Sequence, residues 1–444
     1  MIRIANGQGF WGDWLEAPVR LVEQGPIDFL TLDYLAEVTM AILQKQRRSD
    51  PSLGYARDFP PLMARLAPKL REGRIKVLAN AGGLNPLACA REVRRLAPDL
   101  KVAVVLGDNV TERIGEFLDK GYPMTNMDTA EPLSSIRDQV LSANAYLGAF
   151  PFAEALGTGA GVVLSGRCAD AALALAPAIH SFGWRPADHN LLSAGMVAGH
   201  IIECGAQATG GNSLANWRSL SNLDEIGYPI VELEPDGSFV VTKHPGSGGR
   251  VDSHGVKEQL LYEIGDPRAY YGPDCVTDFT SVRVEDEGPD RVRVTGATGS
   301  APTSFLKLSI NYADGWKAVG TLVYTWPGAQ EKAREADRIV RRRMERLGLE
   351  FDEIYTEFLG VNACHGAAAP PVGEVPELQL RIGVRGRDRA AVERFTRELI
   401  PLVLSGPPGA TGYGEGRPPV REIVSYWPAL IPRSEIRPRV EVVE

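Results

Sequence analysis

The feature that most constrains this fold is a repeated order in its N-terminal part: short apolar strand, glycine-and-polar loop, helix. Residues 2–5 form an apolar strand that runs into NGQGFWGD, and residues 15–24 then read as a helix stopped by Gly25-Pro26. Residues 27–32 make a second strand closing on Asp33 and Tyr34, with a helix expected over 35–47. Residues 74–78 lead into NAGGLNP and the helical stretch LACAREVRRLAP. Residues 102–106 are followed by GDN, and residues 161–165 by SGRCAD. Apolar runs without alternation belong to strands buried on both faces. The order therefore predicts an α/β architecture: an N-terminal three-layer, mostly parallel sheet flanked by helices.

The pattern changes near residue 280. TSVRVEDEGPDRVRVTGATG alternates with period two around a turn, and further strands are expected near 303–310 and 318–325. A charged amphipathic helix is predicted over 329–347, with Ala333, Ala336, Val340, Met344 and Leu347 on one face and Gly348 as its stop. A strand near 377–383 and a helix near 388–403 follow. These imply a smaller α+β domain, so the division expected is 1–280 and 281–444, with the boundary between about 275 and 290.

Composition narrows the function classes. The 444 residues carry 48 Lys+Arg against 56 Asp+Glu, a net charge of −8, which disfavours a nucleic-acid partner. No stretch offers the ~18 uncharged apolar residues of a membrane span, and MIRIANGQGFWGDW lacks a secretory pattern. Cys89, Cys168, Cys204, Cys275 and Cys364 include no C-x-x-C pair, so neither a zinc knuckle nor a disulfide framework is expected. The expectation is a cytoplasmic protein with a small-molecule partner and no nucleic acid or membrane partner. A homo-oligomer is expected as the common state of metabolic enzymes.

In a parallel sheet the functional loops lie at the carboxyl ends of the strands. Here those loops join glycine to amides and carboxylates: Asn6, Gln8 and Asp13; Asp33; Asn80, Gly82 and Gly83; Asp108 and Asn109; Arg167 and Asp170. Any one of them reads more readily as an ordinary turn with an N-cap, but five at one sheet edge point to a common cleft. Arg167 is the expected holder of a substrate carboxylate, or else the structural partner of Asp170. Asp13, Asp33 and Asp108 would suit Mg²⁺, a hard cation, although the sequence requires no cofactor and leaves metal dependence open.

The densest segment is GHIIECGAQATGGN. His200, Glu203 and Gln207 fall at helical spacing on one face, with Cys204 beside them and Gly210 and Gly211 closing the helix. A His and a Glu one turn apart suit a base and its orienter, or a metal. His200 and Glu203 are thus the leading catalytic candidates, with Asp108 and Asp13 as further acid–base groups. Downstream, Lys243, Gly246, Ser247, Gly248, Gly249 and Arg250 precede a helix expected from about 253 to 264. A glycine-rich turn at a helix start offers amides to a phosphate or pyrophosphate. It is not a Walker loop, and GTGAG at 157–161 precedes its strand and is no dinucleotide loop. The glycine-rich stretches at 406–409 and 412–414 are expected to cover a cleft or to lie at a subunit contact.

The series NGQGFWGD, LDYLAE, GYARDF, NAGGLNP, GDN, SGRCADAALALAP, GHIIECGAQATGGN, KHPGSGG and VKEQLLYEI resembles the AtuA family of acyclic terpene utilisation proteins, also known as a domain of unknown function. RIGVRGRDR, GPPGATG and IPR continue the likeness more loosely. The resemblance implies a catabolic enzyme acting on acyclic terpenoids or branched acids as CoA thioesters. Its implied reaction is that of a lyase on a 3-hydroxy-3-methylglutaryl-CoA-like intermediate. Together with the residues it suggests C–C or C–O lysis beside a carbonyl, on an acyl-CoA or small carboxylated substrate, CoA being part of that substrate. A hydro-lyase, or a non-catalytic subunit binding an acyl-CoA carboxylase-type partner, are the other readings.

Overall fold

The computed structural model describes residues 1–213, 217–412 and 416–443. Its first strands are β1 (Ile2–Gln8), β2 (Phe29–Leu32), β3 (Lys76–Ala79), β4 (Val102–Leu106), β5 (Val140–Ala145) and β6 (Val162–Ser165). Five of these pair in parallel in the order β1-β2-β3-β6-β4, with registers such as Ala5↔Leu30, Leu30↔Val77 and Val77↔Val162. Nearly every residue of the five is buried, as their unbroken apolar runs require. Leu30, Leu32, Val77, Ala79, Val102 and Val104 share one core with the helices Glu16–Gln24, Phe59–Leu70 and Pro86–Leu96. The helices Phe150–Gly157 and Ala172–Phe182 also pack on these strands. The second of them buries every residue from Ala172 to Ile179, and its alanines allow that close approach.

The chain then adds antiparallel strands. β7 (Ile230–Leu233) pairs with β1, and β8 (Phe239–Thr242) pairs with β7. β9 (Tyr270–Tyr271) and β10 (Val276–Asp278) open a small separate sheet. β11 (Arg283–Gly288) and β12 (Arg291–Thr295) form the hairpin that the sequence pattern placed in the second domain. Instead, β12 pairs with β8 and extends the main sheet, burying Val292 and Val294. β13 (Thr298–Ser300) completes the small sheet beside β10.

The remaining strands are β14 (Phe305–Thr325), β15 (Glu353–Leu359), β16 (Glu377–Gly386), β17 (Arg421–Pro432) and β18 (Arg439–Val443). Two compact units result: residues 1–311 with 426–444, and residues 312–425. The division thus differs from a cut near 280, because the hairpin joins the first sheet and β18 returns to pair antiparallel with β4. In the second unit the strand order is β15-β16-β14-β17, and the helix Ala329–Arg346 buries Ala333, Ala336, Val340 and Met344 as its pattern predicted. The helix expected over 388–403 is two pieces, Arg389–Phe395 and Leu402–Ser405. Pro401, which disfavours helical backbone in the residue before it, stands between them. Of the glycine-rich tail, Tyr413 and Gly414 lie outside the described residues. Among the described residues no helix is long and apolar enough to cross a membrane.

Candidate active site

The loops after β1, β2 and β6 meet the segment 203–212 around a cavity of about 580 Å³ in the first unit. Asp13, Asp33, Arg167, Asp170, Glu203 and Gln207 are among its walls. A second cavity, of about 520 Å³, shares Arg167, Asp170 and Glu263 with the first. Part of the convergence expected of the strand-end loops is therefore present. Gly9 lets the β1 loop close on the far segment, since a Cβ there would stand 2.8 Å from the Cys204 carbonyl carbon.

Arg167 is the hub between the two cavities. Its side chain is only 2% exposed, and Nη1 donates to the Leu35 carbonyl (2.8 Å) and to Asp170 Oδ1 (2.7 Å). Its guanidinium lies 4.2 Å from the Tyr146 ring centroid. Burial works against the charge, but Asp170, Tyr146 and Asp33 outweigh it and hold the guanidinium firmly protonated. Asp33 Oδ1 accepts from Asn80 Nδ2 (2.7 Å) and from the Leu35 amide (3.0 Å). Burial, with repulsion from Asp170, raises the Asp33 carboxyl well above the usual carboxylate range. Asn80 also accepts from the Tyr34 amide (2.7 Å), so it fixes both the carboxyl and its loop.

The second arrangement is the pair His200–Glu203. The helix His189–Ile202 ends one residue before Glu203, whose Oε1 lies 3.1 Å from His200 Nδ1. His200 is buried against the rings of Tyr270 and Phe279, at 5.4 and 5.2 Å between centroids. Glu203 reaches the cavity wall, whereas His200 stands behind it. Burial pushes the Glu203 carboxyl up to about 7 despite the imidazole beside it. Burial also opposes the imidazolium of His200, yet the Glu203 hydrogen bond and charge raise it overall. The pair thus keeps a shared proton up to near neutral pH. Asn6 Nδ2 anchors this helix end through the Ile202 carbonyl (2.5 Å) and the Glu203 carbonyl (2.9 Å). Gln207 lies on a following 3₁₀ turn (Gly205–Thr209) rather than on the same α-helix, but it still reaches the cavity. Its Oε1, like Glu203 Oε2 and Gln8 Oε1, is buried and has no hydrogen-bond partner among the described residues.

Other expected residues have structural duties. Asp13 Oδ2 accepts from Gly9 (2.9 Å), and its Oδ1 accepts from Trp14 (2.7 Å) and the Tyr228 hydroxyl (2.5 Å), which staples the β1 loop. Asp108 lines neither cavity. Its Oδ2 accepts from Asn144 Nδ2 (2.7 Å) and the Arg167 amide (2.8 Å), and burial raises its carboxyl to about 6. Asn109 accepts from Thr111 in a turn, Gly82 packs on Pro86 and Ser165, and Gly83 packs on Leu43. Gly211 lines the first cavity, while Gly210 closes the 3₁₀ turn beside Leu220. Asp13, Asp33 and Asp108 hold separate partners, and among the described residues no three His, Cys, Asp or Glu side chains gather around a common metal position.

The glycine-rich loop before the helix Ser253–Leu261 is closed on its own surroundings. The amides of Ser247, Gly248, Gly249 and Arg250 donate to the carbonyls of His244, Glu225, Ser221 and Thr209. Lys243 pairs with Asp290 (3.1 Å), Arg250 pairs with Asp252, and Asp252 itself caps the helix. With Gly246 a φ +80 turn between them, these groups serve the fold in place of the anion cradle that the pattern suggested. Burial disfavours the thiolate at two cysteines near the site, pushing Cys204 up to about 12 and raising Cys168 well above its ordinary value. Sequence reasoning missed Tyr146, Tyr228, Glu263, Tyr270 and Lys307, all cavity-lining residues from segments with no glycine-polar signature. Glu263 carried one local signal only in its backbone, a φ of +56 that a bulky side chain rarely adopts.

The sequence pattern of the family described as acyclic terpene utilisation family protein AtuA matches residues 2–442. No curated protein and no solved structure matches the chain. A match over nearly the whole length embraces both compact units and every strand-end loop described above, and the chain belongs to the AtuA family of acyclic terpene utilisation proteins.

Proposed function

We propose that the chain is a catabolic enzyme of the acyclic-terpene or branched-acid type, a lyase that breaks a C–C or C–O bond beside a carbonyl of an acyl-CoA or small carboxylated substrate. The observation that carries this reading is the buried Glu203–His200 pair, with Glu203 at the wall of the first cavity and His200 behind it. A carboxyl held near 7 is matched to proton transfer at neutral pH in either direction. In lysis of a β-hydroxy acyl compound, Glu203 takes the hydroxyl proton as the carbon–carbon bond opens, and His200 stabilises the charge state of Glu203 from behind. Asp33, whose carboxyl burial raises and which lines the same cavity, would return a proton to the carbon or oxygen that leaves. Arg167, held protonated, supplies the positive charge beside Asp170 and Asp33.

Glu203→Gln tests the assignment. Turnover of branched β-hydroxyacyl-CoA substrates by the variant is expected to fall by about 10²–10⁴-fold while the protein stays folded. Unchanged turnover in Glu203→Gln would remove the assignment. The mass of the products separates chain cleavage from loss of water, and so a C–C lyase from a hydro-lyase. Turnover seen only after a carboxylase-type protein is added would favour the role of a non-catalytic subunit.

A further inference from the structure

We infer that the second cavity is a binding subsite for an aliphatic carboxylate, with Lys307 as the residue that recognises the anion. The inference names the substrate class for the proposed enzyme and rests on reading the two cavities, which share Arg167, Asp170 and Glu263, as parts of one substrate site. Lys307 lies between two aromatic rings, its Nζ 5.1 Å from the centroid of Tyr146 and 5.6 Å from that of Tyr426. Ring faces attract a cation without neutralising its charge, and an ammonium carries three N–H donors. Among the described residues no carboxylate forms an ion pair with Lys307. Arg167, the other cation on this wall, already serves Asp170 and the Leu35 carbonyl. Lys307 is therefore the cation that an incoming anion would meet.

The walls of the same cavity supply the apolar half. Met127, Tyr271, Phe305 and Leu430 are 54%, 71%, 45% and 44% exposed, far more than large apolar side chains in a core, and all four line this one cavity. Apolar residues left open around a concave space are the usual mark of a ligand site rather than of unfinished packing. The volume, about 520 Å³, falls within the range of small-ligand pockets. A chain lying on these walls would have its carboxylate on Lys307, which shares the Tyr146 ring with Arg167, and Arg167 and Asp170 also line the cavity that holds Glu203.

Calorimetric titration of the full-length protein with octanoate, octanol and octyl phosphate tests this without any turnover. Octanoate is expected to bind the wild type. Lys307→Met is expected to weaken that binding by about tenfold or more, the worth of one charge-assisted hydrogen bond, and Lys307→Arg to restore it to within about threefold. Octanol is expected to bind wild type and Lys307→Met alike, which also shows that the variant's cavity is intact. The inference is overturned if octanoate fails to bind the wild type at millimolar concentration, if Lys307→Met binds it equally well, or if octyl phosphate binds and octanoate does not. Glu203→Gln is expected to bind octanoate as the wild type does. Loss of turnover with retained binding thus bears on the lyase reading, and loss of binding in Lys307→Met bears on the subsite.

Discussion

At Glu203 two effects oppose each other and burial wins: burial favours the neutral carboxyl, the His200 ring favours the carboxylate, and the carboxyl is left at about 7. A group that must be ionised to accept a proton gains activity as pH rises through its own titration. The expected profile of kcat therefore has a rising limb near pH 7 that Glu203→Gln abolishes. A profile flat from pH 5 to 9 in the wild type would contradict the role. Asp108 gives a separate test, of stability rather than turnover. Its carboxyl moves from 3.8 up to about 6 on folding, through burial. The folded state thus binds the proton more tightly, and this contribution is full below about pH 4 and lost as pH rises through about 6. Asp108→Asn has no such titration. Its stability relative to the wild type is expected to improve between pH 4 and 7 by roughly 3 kcal/mol at most, read from urea unfolding at both values. A difference independent of pH would show that the carboxyl is not shifted. The sequence placed Asp108 correctly at a strand end, but nothing local could say that Asn144 and the Arg167 amide would enclose it.

Among the elements, strands were the most legible. The apolar runs at 2–5, 27–32, 102–106 and 161–165 became β1, β2, β4 and β6, because burial on both faces leaves its mark in the run itself. The loop 246–249 was misread for a complementary reason. Glycine spacing reports that a turn is tight, whereas the Gly248 and Gly249 amides find their acceptors at residues 225 and 221, which local pattern does not reveal. The Lys307 subsite was invisible in the same way, since its two rings come from residues 146 and 426. One link between elements is open to test. Asn6 on β1 holds the helix end that carries Glu203, through two backbone carbonyls. Asn6→Ala leaves those carbonyls without their donor, so a stability loss of about 1–3 kcal/mol is expected. Because Glu203 is also released from its position, kcat should fall while octanoate binding at the other cavity stays within about threefold. Equal losses in both measurements would mean general damage instead of a positional role.

For the molecule as a whole, the late return of the chain is decisive. A boundary read from pattern alone assumes that domains are consecutive, yet the last strand, β18, is added to the first unit more than a hundred residues after that unit is left. It carries few buried side chains of its own, so its value lies in what it covers. β4 is buried along its full length, and β18 pairs with all five of its residues, Val102 to Leu106. Without β18, β4 becomes an unpaired apolar edge, the arrangement that most readily recruits another chain. Deletion of residues 438–444 is therefore expected to yield protein that aggregates at concentrations where the full chain stays dispersed, as measured by light scattering. If the truncated chain remained dispersed and unfolded at an unchanged temperature, β18 would be an ornament on the sheet rather than the strand that closes it.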